Sequence, residues 1–290
     1  MVTPTTSLER LRVFHAVASV GTVAGAARSL GYTPSAVSQQ VAVLEREAGV
    51  ALVERSNRGI VPTPAGEVMA QRAGELLDLV RTAFEDVGRA AGRHRTTLTI
   101  AAFPTAIPTL LLPVREQLAP DIDVVVVDAE PEQALQLVEA REVDVAITDA
   151  DAVDLRSTEL HRTLVRTDPL RLVTPRRRTV RSLADCADDR WVLGGLHSRH
   201  GAAARRVCRA AGFEPNVIVE TEDHHIAFQV VQAAGAVTLL PDLALVAVPK
   251  GVAVARAVDV GHVRRVELVT RITLHTNPAV TRLRDLLAGH

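Results

Sequence analysis

Ser35, Ser38 and Gln39 follow the pair Thr33-Pro34 within six residues, and their types suit contact with a nucleic acid. On a helix that starts at Pro34 and turns Val37, Val41 and Leu44 inward, the three polar side chains share the opposite face near the helix N-terminus. There a serine hydroxyl can bond a phosphate or a base edge, and a glutamine amide can bond adenine through two atoms in the major groove. On an isolated helix such residues are ordinary solvated surface, so the surrounding elements decide. Further on, Arg55 and Arg58 flank Ser56-Asn57. Guanidinium groups stay charged and fork onto phosphate oxygens or enter a narrow minor groove.

A second set of residues lies far along the chain: Thr105, Thr148, Asp149, His197, Ser198 and His224. Each follows an expected strand or precedes an expected helix. Hydroxyls and amides at a helix start favour a carboxylate, and Asp149 would favour an amine, so an amino acid or another small carboxylate is the ligand class they suit. Taken singly, each is explained equally well by capping or loop solvation.

Other chemistries find little support. There is no Gly-x-Ser-x-Gly elbow, phosphate loop, Cys-His pairing or dinucleotide glycine fingerprint, so no catalytic residue and no cofactor is expected. His197 and His200 straddle a loop and a helix start, while the adjacent His224 and His225 point to different helix faces; capping or surface roles fit them better than a metal site. Cys186 and Cys208 are too few and too far apart for a disulfide framework and read as packing thiols.

The elements that must position the first set are legible locally. Leu8, Leu11, Phe14, Val17 and Ala18 make one face of a helix that Gly21 ends. Thr22 caps a second helix carrying Val23, Ala26, Ala27 and Leu30. Gly31-Tyr32-Thr33-Pro34 is the turn into the third, which Gly49 closes. Two short helices joined by a glycine-containing turn form a helix-turn-helix, whose second helix lies in the major groove. Leu52-Val53 and Ile60-Val61 read as the strands of a wing with Arg55 to Gly59 as its tip. Thr63-Pro64 then opens a helix reaching about Ala91. Its residues Met69, Ala73, Leu76, Val80, Ala83, Val87 and Ala90 follow a coiled-coil seam, which predicts pairing with a second copy; packing on the chain's own C-terminal half is the alternative.

The run from Phe14 to Glu67 resembles the N-terminal domain of LysR-type transcriptional regulators. The matching residues are Phe14-His15-Ala16-Val17, Gly21 to Leu30, Thr33 to Val41, Leu44-Glu45, Gly49 to Leu52, Arg55 and Thr63 to Glu67. The resemblance implies a dimer or dimer of dimers that bends double-stranded DNA at an imperfect inverted repeat in a promoter, with a small co-inducer altering the bend. RNA polymerase is a candidate further partner. Two positions depart from the family pattern. Pro34 stands where glutamine is frequent and removes one base-reading amide, and Val53 stands where phenylalanine is usual.

Beyond Gly92 short apolar runs alternate with helical stretches, and an open, mostly parallel α/β sheet is expected. The strand candidates are 98–101, 124–127, 143–148, 170–174, 191–193, 217–219 and 237–240; the helical ones are 108–118, 131–139, 201–211 and 225–234. The layout resembles the two-lobed effector domain of the same family, similar to periplasmic binding proteins. The expected division is therefore a winged helix-turn-helix at 1–66, a linker and dimerisation helix at 67–92 and an effector domain at 93–290. Lobe I takes 93–167 and 267–290, and lobe II takes 168–266.

Bulk properties agree. The 290 residues carry a formal net charge of −1, but residues 1–66 hold six Arg against four Glu while the remainder is acidic. A mildly basic head on an acidic body suits a DNA reader joined to a sensor. No apolar run is long enough to span a bilayer and no export signal is evident, so a cytoplasmic protein is expected. Two other readings stay open: a solute-binding module serving a transporter, and a small-molecule enzyme with an N-terminal interaction domain.

Overall fold

The computed structural model describes residues 6–56, 59–92, 96–119, 121–150 and 160–289. The head contains α1 (Leu8–Val20), α2 (Val23–Leu30) and α3 (Pro34–Ala48), followed by β1 (Val53–Ser56) and β2 (Gly59–Pro62). Thr22 and Thr33 cap their helices as expected, and Ser7 caps the first: their side chains accept from the amides of Gly25, Ala36 and Arg10, each at 3.2 Å. Gly21, Gly31 and Gly49 end the three helices in left-handed conformations. Phe14, Val17, Ala26, Val37, Leu44 and Leu52 pack into one core with Ala73 from the next helix. Burying these side chains removes roughly 25 cal/mol of unfavourable hydration per Å².

That next helix, α4 (Pro64–Ala90), begins where the wing returns. Thr63 is buried, its hydroxyl donating to the Ala51 carbonyl at 2.9 Å and accepting from the Gly66 amide at 3.0 Å. A Cβ on Gly66 would lie 1.9 Å from the Leu52 carbonyl oxygen, so only glycine lets helix and wing approach this closely. The expected seam along α4 divides. Met69 and Ala73 pack on the head's own core, while Leu76, Ala83 and Val87 stay exposed; Leu79 and Phe84, outside that seam, are exposed as well.

The body runs β3 (Thr96–Ala102), a π-turn at Ile107–Leu111 leading into α5 (Leu112–Leu118), β4 (Ile122–Asp128), α6 (Pro131–Glu139), β5 (Val145–Asp149) and β6 (Leu160–Pro175). It continues with β7 (Arg190–Leu193), α7 (Arg199–Ala210), β8 (Asn216–Glu220), α8 (His224–Ala234), β9 (Thr238–Pro241), β10 (Val252–Val254), β11 (Val263–Arg271) and α9 (Pro278–Ala288). The main sheet has the order β10-β6-β11-β5-β3-β4, with β9 also on β6; β7 and β8 form a parallel pair.

The expectation of a mostly parallel sheet is corrected. Parallel pairing joins β3 to β4 and β5, but β11 to β5, and β6 to β9, β10 and β11, are antiparallel. The difference arises because β6 and β11 are long strands that run back through the sheet. Two-lobed organisation follows from β6: Leu160–Pro169 lie within the span that pairs with β11, and Leu170–Pro175 pair with β9 and β10. In the first lobe, α5 and α9 cover one sheet face and α6 the other. In the second, one core gathers around Trp191 and Leu193 and another around α8.

Candidate functional site

On α3, Val37, Val41 and Leu44 are buried, while Thr33, Pro34, Ser35, Ser38 and Gln39 form an exposed face at the helix start. The Thr33 hydroxyl is engaged as the cap and lies 3.0 Å from the Ser35 hydroxyl. Pro34 sits in the first turn, where a missing N–H costs nothing. The Ser38 and Gln39 side chains therefore point from the end of α3 whose unpaired amides carry positive dipole, the end suited to phosphate-rich surfaces.

Glu45, which sequence reasoning used only as a family match, joins two elements of the head. Its carboxylate accepts from the amides of Leu52 at 2.8 Å and Val53 at 3.2 Å, tying the wing to the reading helix. Arg55 is exposed on β1, opposite Ile60. Arg58 lies outside the described residues.

A cleft of about 750 Å³ opens between the lobes. Asp149 at the end of β5 and His197 and Ser198 ahead of α7 line it. The Ser198 hydroxyl accepts from the Gly201 amide at 2.9 Å and donates to the Gly195 carbonyl at 3.0 Å, which shapes the loop. Buried Arg205 fixes the same loop through the Gly194 carbonyl at 2.8 Å and the Glu220 carboxylate at 2.5 Å.

The other three expected residues stand behind the wall. Thr148 is fully buried beneath α6, its hydroxyl 3.5 Å from the Pro131 carbonyl. Thr105 accepts from Arg264 at 3.3 Å. His224 meets His200 edge to face, with ring centroids 6.1 Å apart.

Sequence reasoning missed Arg264, Glu130, Glu222, Arg206 and His200 in the cleft lining. Arg264 sits on β11, opposite Asp168 on β6, and stacks over the Phe103 ring with its guanidinium carbon 4.4 Å from the centroid. No local motif announces it, because strand pairing across almost a hundred residues brings it there. Glu222 accepts from the Gly195 amide at 2.7 Å. Burial, followed by the nearby carboxylates of Glu222, Asp128 and Glu132, raises the Glu130 pKa. Burial also pushes the His200 imidazole down to about 4, with His224 adding to the effect, so it is neutral at pH 7. Among the described residues no group of three or more His, Cys, Asp or Glu is placed to hold a metal. The lining thus offers both signs of charge and a helix N-terminus, a setting for a small polar molecule with an anionic and a cationic end.

Comparison with known proteins places both halves. Residues 8–67 match the family described as "Bacterial regulatory helix-turn-helix protein, lysR family", and residues 91–290 match "LysR substrate binding domain". The "Transcriptional dual regulator GltC" of Bacillus subtilis is 28% identical over 246 residues, which cover 81% of this chain and 80% of that one. The "Small neutral protease regulatory protein" of Streptomyces coelicolor is 28% identical over 241 residues, 80% of this chain and 72% of its own length.

Among solved structures, the LysR family regulator CbnR superposes with a TM-score of 0.56 at 24% identity, covering 97% of this chain and all of that one. Full-length OxyR of Pseudomonas aeruginosa, a point variant, gives 0.69 at 20% identity, with 97% and 94% covered. These likenesses agree with the winged head and the two-lobed body. The chain belongs to the LysR family of helix-turn-helix proteins: it is a DNA-binding transcription regulator with a small-molecule effector domain, not an enzyme.

Proposed function

We propose that this regulator works in the cytoplasm and reads an imperfect inverted repeat, with Ser35, Ser38 and Gln39 on base edges and Arg55 and Arg58 on phosphate. The observation that carries this assignment is the exposed polar face of α3 beside the wing, directly over a packed hydrophobic floor. Two copies pair through the stripe Leu76, Leu79, Phe84 and Val87 of α4, which are 45%, 65%, 75% and 66% exposed in the single chain. Such a run of large apolar groups on a charged helix suits a partner helix rather than water. A dimer of dimers on a bent promoter, with RNA polymerase as a further contact, extends the same arrangement.

The effector is a small zwitterion or carboxylate of the amino-acid class. Its amine is received on the side of Asp149, Glu130 and Glu222, and its carboxylate on the side of Arg206 and the N-terminus of α7. Lobes I and II move about the points where β6 changes partners, near Pro169–Leu170, and where β11 begins, near His262–Val263.

A footprint on DNA upstream of the protein's own gene, at fixed salt, tests the reading with and without a panel of amino acids. Protection of an inverted repeat, shortened or shifted by one compound, is expected. An identical footprint with every compound would remove the effector class, and absence of protection would remove the assignment of α3.

A further inference from the structure

Arg141 is the only non-glycine residue among those described with a positive φ, at 63°. It sits just past the end of α6, a position normally filled by glycine or asparagine because a Cβ there costs about 1 kcal/mol. Its side chain shows what the position is used for. One guanidinium nitrogen donates to Asp78 of α4, and Nε donates to Nε2 of His15 on α1 at 3.1 Å. Gly74, in the middle of α4, provides the seat: a Cβ there would meet the Arg141 guanidinium. A glycine inside a 27-residue helix is otherwise a cost of about 1 kcal/mol against alanine.

The joint is well built. Asp78 is 4% exposed and also accepts from Arg271 at 3.1 Å and from the Thr273 hydroxyl. The opposite ring nitrogen of His15 lies 3.2 Å from the Ala70 carbonyl. One residue of the body therefore holds both the linker helix and the first helix of the DNA-reading head.

The other end of α6 faces the cleft. Pro131 and Glu132 line it, and Glu132 is ion-paired with Arg199 at the start of α7 in the opposite lobe. Nine helical residues, roughly 13 Å, separate the two attachments. A packed helix moves as a rigid body, so displacement of its first turn reaches its last.

Building on the effector-cleft reading above, we propose that α6 is a strut and Arg141 a positioning residue that passes the open or closed state of the cleft to the head. When the lobes change their separation, Glu132 is drawn with α7, and Arg141 shifts against Asp78 and His15. The orientation of α1, and with it that of α3, follows. The partner of the cleft is thus felt by the DNA-binding face of the same chain, independently of any contact between copies.

Hydrogen exchange on the free full-length protein tests this without a ligand or DNA, so its outcome is separate from that of the footprint. Glu132→Arg sets two guanidinium groups against each other and opens the mouth of the cleft. Arg141→Gly removes the clasp while suiting the backbone, so the fold is retained. In the parent protein, Glu132→Arg is expected to raise exchange in residues 11–20 of α1 about tenfold, the factor that corresponds to 1.4 kcal/mol. In the Arg141→Gly protein, α1 already exchanges faster and Glu132→Arg adds nothing. An increase confined to α6 and α7, equal increments in both backgrounds, or no change at any of these segments would each overturn the strut.

Discussion

Arg264 and Asp168 face each other across the pairing of β11 with β6 and form an ion pair of 2.5 Å at the floor of the cleft. Asp168 is 1% exposed and also accepts from the Leu243 amide at 3.0 Å. Removing it strands both a guanidinium and a buried N–H. Asp168→Ala is expected to lower stability by about 3–5 kcal/mol, read from the denaturant midpoint. Asp168→Asn retains a hydrogen-bond acceptor and should cost less. Equal costs for the two would show that the lost charge, not the hydrogen bond to Leu243, carries the effect.

The head predicts two separable DNA phenotypes. Ser38→Ala combined with Gln39→Ala should weaken specific binding more than nonspecific binding, since base contacts discriminate and phosphate contacts do not. Arg55→Ala or Arg58→Ala should weaken both and reduce the salt slope by about one for each lost phosphate contact. Titrations of operator and random duplex at several salt concentrations distinguish these cases. Equal losses on both duplexes for the helix variants would move base reading elsewhere.

Glu45→Ala frees the amides of Leu52 and Val53 and should detach the wing from α3. A stability loss of about 1–3 kcal/mol is expected, together with reduced affinity for every duplex. Glu45→Gln keeps an acceptor and should recover most of the stability. If it did not, the carboxylate charge would matter more than the two hydrogen bonds.

Acid should weaken the fold over a defined window. Burial, then Arg141, holds the His15 imidazole at about 4, and burial, then His224, holds His200 at about 4, both below the ordinary 6.5. For a histidine with a depressed folded pKa, the unfolded chain takes up the proton first. Stability is then complete above pH 6.5 and falls as the pH drops toward 4. The slope contributed by each is at most about 1.4 kcal/mol per pH unit. His15→Gln should flatten the pH dependence of the unfolding midpoint in this range. An unchanged profile would show that the His15 imidazole titrates alike in the folded and unfolded chains.

Both thiols should be inert in the native protein. Burial pushes Cys186 up to about 11, with Asp189 adding to the effect, and Cys208 up to about 12, with Cys186 adding to it. A thiol of that kind holds little thiolate at pH 7 to 8. Alkylation by iodoacetamide is expected to track global unfolding across a urea series. Fast labelling without denaturant would show that at least one of them is reached in the native protein.

The two halves of the chain were legible to different degrees. Thr22, Thr33, Pro34 and the glycines at 21, 31 and 49 act on neighbours within a few residues, so the helices of the head could be bounded without tertiary information. β11 escaped because Arg264, Arg265, Glu267 and Arg271 interrupt its apolar pattern; Asp168, Arg162 and Asp78 absorb three of those charges only after the sheet has formed. The ends of β5 and α7 brought Asp149, His197 and Ser198 to the cleft, since ligands collect at such termini. Thr148, one position earlier on the same strand, points to the opposite face, and strand alternation is enough to explain that difference. Asp78 reads as one more solvated charge on a long helix, and only the packing of α4 against the first lobe reveals it as buried.

Gly66 has a reach far greater than its size. Because the wing's Leu52 carbonyl lies against its bare Cα, the angle at which α4 leaves the head is set by contact between two stretches of main chain, with no side chain to adjust it. In a pair of chains joined along α4, that angle determines how far apart the two reading helices stand. On the proposed inverted repeat, the number of base pairs between half-sites is therefore written partly into a hydrogen atom: a methyl group at position 66 would alter the spacing such a pair reads before it touched a single base.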